Sequence, residues 1–195
     1  MNERKVFDMN NSAVKVITGG SCRFSYCSVW EPKSIKGGEP RYSVSVLIPK
    51  TDKETVIKIR EAIQQAYKDG ESKLKGKGSL QPLSELKTPL RDGDTERPKD
   101  PAYAGMWFLN ANSKHPPQIV DGARNPILDR SEFYSGCYGR ASITFFAFNN
   151  SGNKGIGCGL NNLQKLRDGE PLGGWATAAS DFGGLDSEDD EDFLA

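Results

Sequence analysis

The sequence predicts a mostly β domain: a small antiparallel barrel with one amphipathic helix, long loops and a disordered acidic tail. Three observations predict it. Several short segments alternate apolar and polar residues with a period of two, and only one segment repeats with helical spacing. The last fifteen residues, Asp181 to Ala195, carry seven acids and no Lys or Arg. A block of like charge that dense repels itself and buries almost nothing. The 195 residues therefore divide into a body, 1–174, large enough for one hydrophobic core, and a tail, 175–195.

Taken in order, Ser12 to Ser28 reads as extended chain, with Val14, Val16, Phe24 and Tyr26 interrupted by a bend at Gly19-Gly20. Glu31 to Pro40 reads as a hairpin-type loop carrying Lys33 and Lys36. Tyr42, Val44, Val46 and Ile48 share one strand face and Ser43 and Ser45 the other, the mark of a half-buried strand. Thr51-Asp52-Lys53-Glu54 has the form of a capping box, with Thr51 and Glu54 satisfying the first amides of a helix. Val56, Ile57, Ile59, Ile63 and Tyr67 follow at helical spacings, and the helix stops near Asp69-Gly70.

From Glu71 to Ala104 the pattern dissolves into a loop with Pro82, Pro89, Pro98 and Pro101 and the basic cluster Lys73, Lys75 and Lys77. A loop of that length inside a compact domain is usually functional or mobile. Strand character returns at Met106 to Ala111, at Gln118 to Val120 and over Cys137 to Phe148. The turn Asn149 to Gly155 separates the last of these from Ile156 to Leu160. Asn161 to Arg167 reads as a short helix, and Phe24, Phe145, Phe146 and Phe148 as core. Among small antiparallel barrels with one inserted helix, the OB-fold is the commonest type that binds nucleic acid.

Several classes of function are disfavoured. No apolar run is long enough for a membrane span and MNERKVFDMNN has no signal-peptide core, so a soluble protein of the compartment of synthesis, the cytoplasm, is expected. Four scattered cysteines (Cys22, Cys27, Cys137, Cys158) and a single histidine, His115, give neither a disulfide framework nor a zinc or redox spacing. No cofactor and no catalysis are expected, since there is no Walker sequence and Gly155 to Leu160 breaks the dinucleotide fingerprint. The one enzymatic alternative is a metal-dependent nuclease using Asp92, Asp94 and Asp121, although Arg91-Asp92-Gly93-Asp94 reads more readily as a turn.

The formal net charge of zero hides an asymmetry. Without the seven tail acids, 26 basic residues face 19 acidic ones, a body of about +7. A basic body points to a polyanion, and an acidic tail to an internal competitor. Basic and aromatic residues also recur together, as single-stranded nucleic acid requires, because cations track phosphates while rings stack on bases. The candidate contacts are Arg23, Trp30, Lys33, Lys36, Arg41, Tyr42, Lys73, Lys75, Lys77, Tyr103, Trp107, Tyr138 and Arg140. Tyr138, Arg140, Ser142 and Thr144 would share one strand face. The tail residues Asp186, Glu188, Asp189, Asp190, Glu191, Asp192, Phe193 and Leu194 combine acids with an apolar tip, a form suited to a protein partner.

Four motifs in order then carry a resemblance: Pro89 to Asp94 (PLRDGD), Tyr103-Ala104-Gly105 before an aromatic strand, Tyr134 to Tyr138 (YSGCY), and Asn153-Lys154-Gly155 leading into Gly159 to Lys165 (GLNNLQK). From about Ser12 to Gly174 the chain resembles the single-stranded-DNA-binding proteins of tailed phages and prophages. The resemblance implies an OB-fold and DNA coating without catalysis in replication, recombination and repair, inside the bacterial host. The tail is similar to those of replicative single-strand binders, which recruit replication and recombination proteins, although Phe193 stands third from the end. A homodimer is compatible with these features.

Overall fold

The computed structural model describes residues 13–34 and 36–173. Eight strands form one sheet: Lys15–Ile17 (β1), Cys22–Lys33 (β2), Arg41–Pro49 (β3), Arg91–Asp92 (β4), Met106–Ser113 (β5), Gln118–Val120 (β6), Tyr138–Asn150 (β7) and Asn153–Arg167 (β8). The order is β1-β7-β2-β3-β5-β8-β6, with β4 on β5 and a further pairing of β7 with β8. That last pairing turns β7, β2, β3, β5 and β8 into a ring. Its seams are antiparallel except β5–β8, which is parallel and rests on one register pair, Asn112 with Gly159. The ring is thus partly closed, in keeping with the mostly β, OB-fold-like expectation.

Alternation decides what lies inside. Val44, Val46 and Ile48 of β3, Leu109 and Ala111 of β5, Ile143 and Phe145 of β7, and Ile156, Cys158 and Leu160 of β8 are all buried. Helix α1 (Lys53–Asp69) packs beside β7 and β1 and adds Val56, Ile59, Ala62, Ile63 and Ala66 to the same core, while Ile57 faces outward. The capping box is corrected by one residue. Asp52, not Thr51, caps α1, its carboxylate accepting from the Thr55 amide at 3.1 Å, and Glu54 pairs with Lys58 one turn on.

The helix expected over Asn161 to Arg167 is also corrected: this segment continues β8, paired to β6 and β7. Ser142 and Ile143 of β7 face Asn162 and Leu160, so Asn161 is an extra residue in β8. The bulge puts Leu160 and Leu163 on the same inner side despite their spacing of three, which mimics a helical pattern. The aromatic reading is corrected at the far end of β7. Phe24 and Phe145 are core, but Phe148 is only half-buried and Phe146 is 46% exposed, both on the outward face with Thr144.

The long stretch after α1 is built from short pieces: α2 (Glu71–Lys75), a 3-10 turn at Leu83–Glu85, β4, α3 (Gly93–Glu96) and a second 3-10 turn at Pro101–Tyr103. Leu74 and Leu86 tie it to the main core. Tyr103 packs with Leu47 and Phe108 as a second, small core on the outer side of β3 and β5. The outer face of β3 is therefore not simply solvated: Ser45 and Leu47 are buried there, and Ser43 is half-buried.

Candidate nucleic-acid interface

Beside this second core the outer face of β3 and β5 opens into a groove of about 570 Å³. Its floor is Ser43 and Ser45 of β3 and Asn110 and Asn112 of β5, and its walls are Tyr26, Lys33, Gly38, Glu39, Arg41 and Arg97. Asparagine at alternate positions of one strand gives two amides on one face, each with donors and an acceptor for base edges. Cations and a ring surround them. This is the composition that a single nucleic-acid strand requires.

Tyr26 reaches the groove because β2 is bulged. Ser25 pairs with Ser45 and Ser28 with Ser43, so three steps on β2 match two on β3. Tyr26 takes φ 47°, a left-handed conformation that costs a non-glycine residue about 1–3 kcal/mol. In a regular strand Tyr26 would share the inner side of Phe24; the bulge instead leaves it 61% exposed. The Cys27 amide released from the ladder donates to Ser135 Oγ at 3.0 Å. Arg97 faces the ring from the long stretch, 5.9 Å from the Tyr26 centroid, and also lies 5.7 Å from Tyr103 and 6.0 Å from Phe108. Tyr26 and Arg97 were not among the candidate contacts.

Glu39 is the acid of the groove. Its carboxylate meets Lys114 Nζ at 3.0 Å and Arg41 at 3.5 Å, and Arg41 also donates to Asn112 Oδ1 at 3.1 Å. The hydrogen bond from Lys114, helped by its charge and that of Arg41, holds the Glu39 carboxyl below the usual range. Two cations at the groove are thus occupied by a carboxylate in the free protein.

Of the other candidates, Lys33 and Arg41 line the groove, and Lys36 stands in the hairpin whose Gly38 and Glu39 line it. Tyr42 falls on the opposite face of β3 from Arg41 by alternation. Tyr103 is corrected: it is 1% exposed with its hydroxyl donating to Ser45 Oγ at 3.1 Å, so its ring supports the groove from below and cannot stack on a base. Trp30 is half-buried, its indole N–H donating to the Phe133 carbonyl at 3.0 Å. Trp107 belongs to the inner series of β5, with Lys50 and Arg60 about its ring at 5.1 and 5.2 Å.

Tyr138 forms a separate cluster, its ring met by Arg167 at 3.8 Å and Arg23 at 5.2 Å. Arg23 further donates to the carbonyls of Gly136 and Glu170, which ties the end of the body to β2. Arg140 is exposed and donates to the Thr18 carbonyl. Lys73, Lys75 and Lys77 lie exposed beside the tip of the β7–β8 hairpin, where Asn149 and Lys154 donate to the carbonyls of Lys73 and Lys75. The tail candidates, Asp186 to Leu194, lie outside the described residues.

The carboxylates of the nuclease alternative are otherwise engaged. Lys50 Nζ binds Asp92 at 2.7 Å and Asp94 at 2.8 Å, and those hydrogen bonds lower both acids and raise the lysine. Asp92 also caps α3, so the expected turn is a strand end leading into a helical turn. Asp121 instead accepts from the amide and side chain of Asn125. Among the described residues no three His, Cys, Asp or Glu side chains converge as a metal site. Burial pushes the Cys22 and Cys27 thiols up to about 12.

Comparison with known proteins gives the family. The family built on the single-stranded-DNA-binding protein of Enterobacter phage Enc34 matches residues 14–194. A protein named p50 from Acyrthosiphon pisum secondary endosymbiont phage 1 is 30% identical over 182 residues, covering 89% of this chain and 95% of its own length. The structure of the phage Enc34 protein in complex with single-stranded DNA superposes with a TM-score of 0.68 at 28% identity, over 83% of this chain and 90% of that one. The single-stranded-DNA-binding protein of bacteriophage T7 shares the fold, with a TM-score of 0.55 at 13% identity over 90% of this chain and 96% of that one. The chain belongs to the phage Enc34 single-stranded-DNA-binding protein family.

Proposed function

We propose that this protein coats single-stranded DNA in phage replication, recombination and repair, without sequence preference and without catalysis, in the cytoplasm of the bacterial host. The observation that carries the reading is the groove in which the bulge turns Tyr26 outward among Lys33, Arg41 and Arg97. Sequence tolerance follows from its chemistry: every base has a face for the ring, and the cations meet phosphates that are the same at every position. The pairing of Asp92 and Asp94 with Lys50 speaks against the nuclease alternative. The acidic tail acts as a competitor for the same cations and as a docking peptide for replication proteins. Its exit supports this, because Leu172 donates to the Ser135 carbonyl and Ser135 holds the bulge beside Tyr26.

The test is a titration of labelled oligonucleotides, single- and double-stranded, at several salt concentrations. Single strands are expected to bind more tightly, and affinity to fall with a log–log slope of about −0.7 per phosphate contacted. Equal affinity for the duplex with a flat salt response overturns the reading. Deleting Asp181 to Ala195 is expected to tighten binding most at low salt, where the charges of the tail are least screened. Unchanged affinity on truncation leaves the tail only the docking role.

A further inference from the structure

We propose that the DNA path leaves the groove across β8 and ends on a second base-stacking platform, Phe146, with Lys15 as its phosphate contact. This rests on the reading above. Phe146 lies on the outward face of β7 and is 46% exposed. It pairs with Gly157 of β8, and its ring covers that glycine, with Cζ 2.7 Å from where a Cβ would stand. Covering a glycine explains one face of the ring, as aromatic residues commonly do on sheets. It leaves the other face in water.

The position of the ring gives that face a ligand. Asn112 of the groove floor is the register partner of Gly159, and the neighbour of Gly159 across β8 is Thr144, two residues from Phe146. At Gly159 a Cβ would meet only the Thr144 carbonyl oxygen at 3.5 Å and the edge of Phe146 at 3.7 Å. Gly159 thus raises no side chain between the groove floor and the ring; the nearest β8 side chain on this face, Asn161, turns the other way along β7 to donate to Thr144 Oγ1 at 2.9 Å and to Ser142 Oγ. Two strand spacings across and two residues along β7 make a separation of about 12 Å, within the reach of one chain of nucleotides laid across the sheet. Beyond Phe146, Lys15 of β1 pairs with Thr144 and is exposed, a cation flanking a ring as in the groove itself.

The experiment uses the full chain and two oligothymidylates, one long enough to fill only the groove and one several nucleotides longer. Phe146→Leu keeps apolar cover over Gly157 but removes the flat face. It is expected to weaken the long oligonucleotide from several-fold to about a hundredfold, the range of one base stack, with the short one and the melting temperature unchanged. Phe146→Trp adds a reporter whose fluorescence the long oligonucleotide quenches and the short one does not. Equal binding of both lengths by wild type and Phe146→Leu, with no quenching, overturns the proposal while leaving the groove intact. If wild type binds neither length, the DNA reading itself fails and this inference with it.

Discussion

The guanidinium of Arg97 stands 5.9 Å from the centre of the Tyr26 ring, joining the exposed aromatic of the groove to a residue of the long stretch between α1 and β5. The same cation lies over Tyr103 below. A ring held by a cation loses less freedom when a base stacks on it, so its contribution to binding is not reduced by ordering.

Tyr26 is accordingly expected to be the strongest single contributor in the groove. Tyr26→Gly removes the ring together with the left-handed strain. It should weaken oligonucleotide binding by roughly 1–3 kcal/mol and leave the melting temperature equal or higher. Tyr26→Phe should bind nearly as wild type. Binding unchanged in Tyr26→Gly would falsify the stacking role.

Tyr103 should behave in the opposite way. As a buried ring packed on Leu47 and Phe108, its replacement by Ala should cost about 3–5 kcal/mol of stability. Tyr103→Phe loses only the hydrogen bond to Ser45, about 0.5–1.5 kcal/mol. Thermal denaturation of both variants is the check, and an undiminished melting temperature in Tyr103→Ala contradicts the buried placement.

Glu39 stands between Arg41 and Lys114 and pairs with both, so on the proposed reading it competes with a phosphate for them. Glu39→Gln frees both cations and should tighten single-strand binding a few-fold at low salt, with the gain vanishing as salt rises. Lys114→Ala should lose affinity and flatten the log–log salt slope by about 0.7, one phosphate contact. Titrations at three salt concentrations decide it; Glu39→Gln that binds no better at any of them removes Glu39 as a competitor.

The Lys50–Asp92–Asp94 cluster predicts a pH signature in stability rather than in catalysis. Both acids are held below their unfolded values by Lys50, so their stabilisation is present above the unfolded carboxylate range. It is lost as pH falls through the depressed folded values. Lys50→Met should therefore melt somewhat below wild type at neutral pH, with the gap closing as both are taken into that acid range. A gap independent of pH contradicts the ion-pair account.

The strands and the helix were legible in the sequence because their burial follows simple periods: Val44, Val46 and Ile48 alternate, and Ile59, Ile63 and Ala66 repeat by helical turns. What escaped lies where the period breaks. The bulge at Tyr26 sends outward a residue that alternation assigns to the core, and the extra Asn161 makes a strand imitate a helix. At the groove, Lys33 and Arg41 were legible as cations beside aromatics, and both line it. Tyr103 was misread because an aromatic near basic residues looks the same in sequence whether it lies above or below them. Arg97 carried no local signal, since its role depends on a fold-back that brings it over Tyr26. The alternate asparagines Asn110 and Asn112 were a readable cue: two amides on one face of a strand.

The ring of strands has two thin seams, the Asn112–Gly159 pair between β5 and β8 and the two pairs between β2 and β7. A sheet opens most easily where fewest amides are shared, so opening is expected at these seams before the thirteen-pair β7–β8 ladder. The β5–β8 seam runs along the edge of the groove floor. On the path proposed above, a strand of DNA would straddle it like a stitch across a hem, and binding and closure of the ring would form one linked equilibrium. Bound DNA would then raise the stability of the ring by mass action, as any ligand of the folded state does.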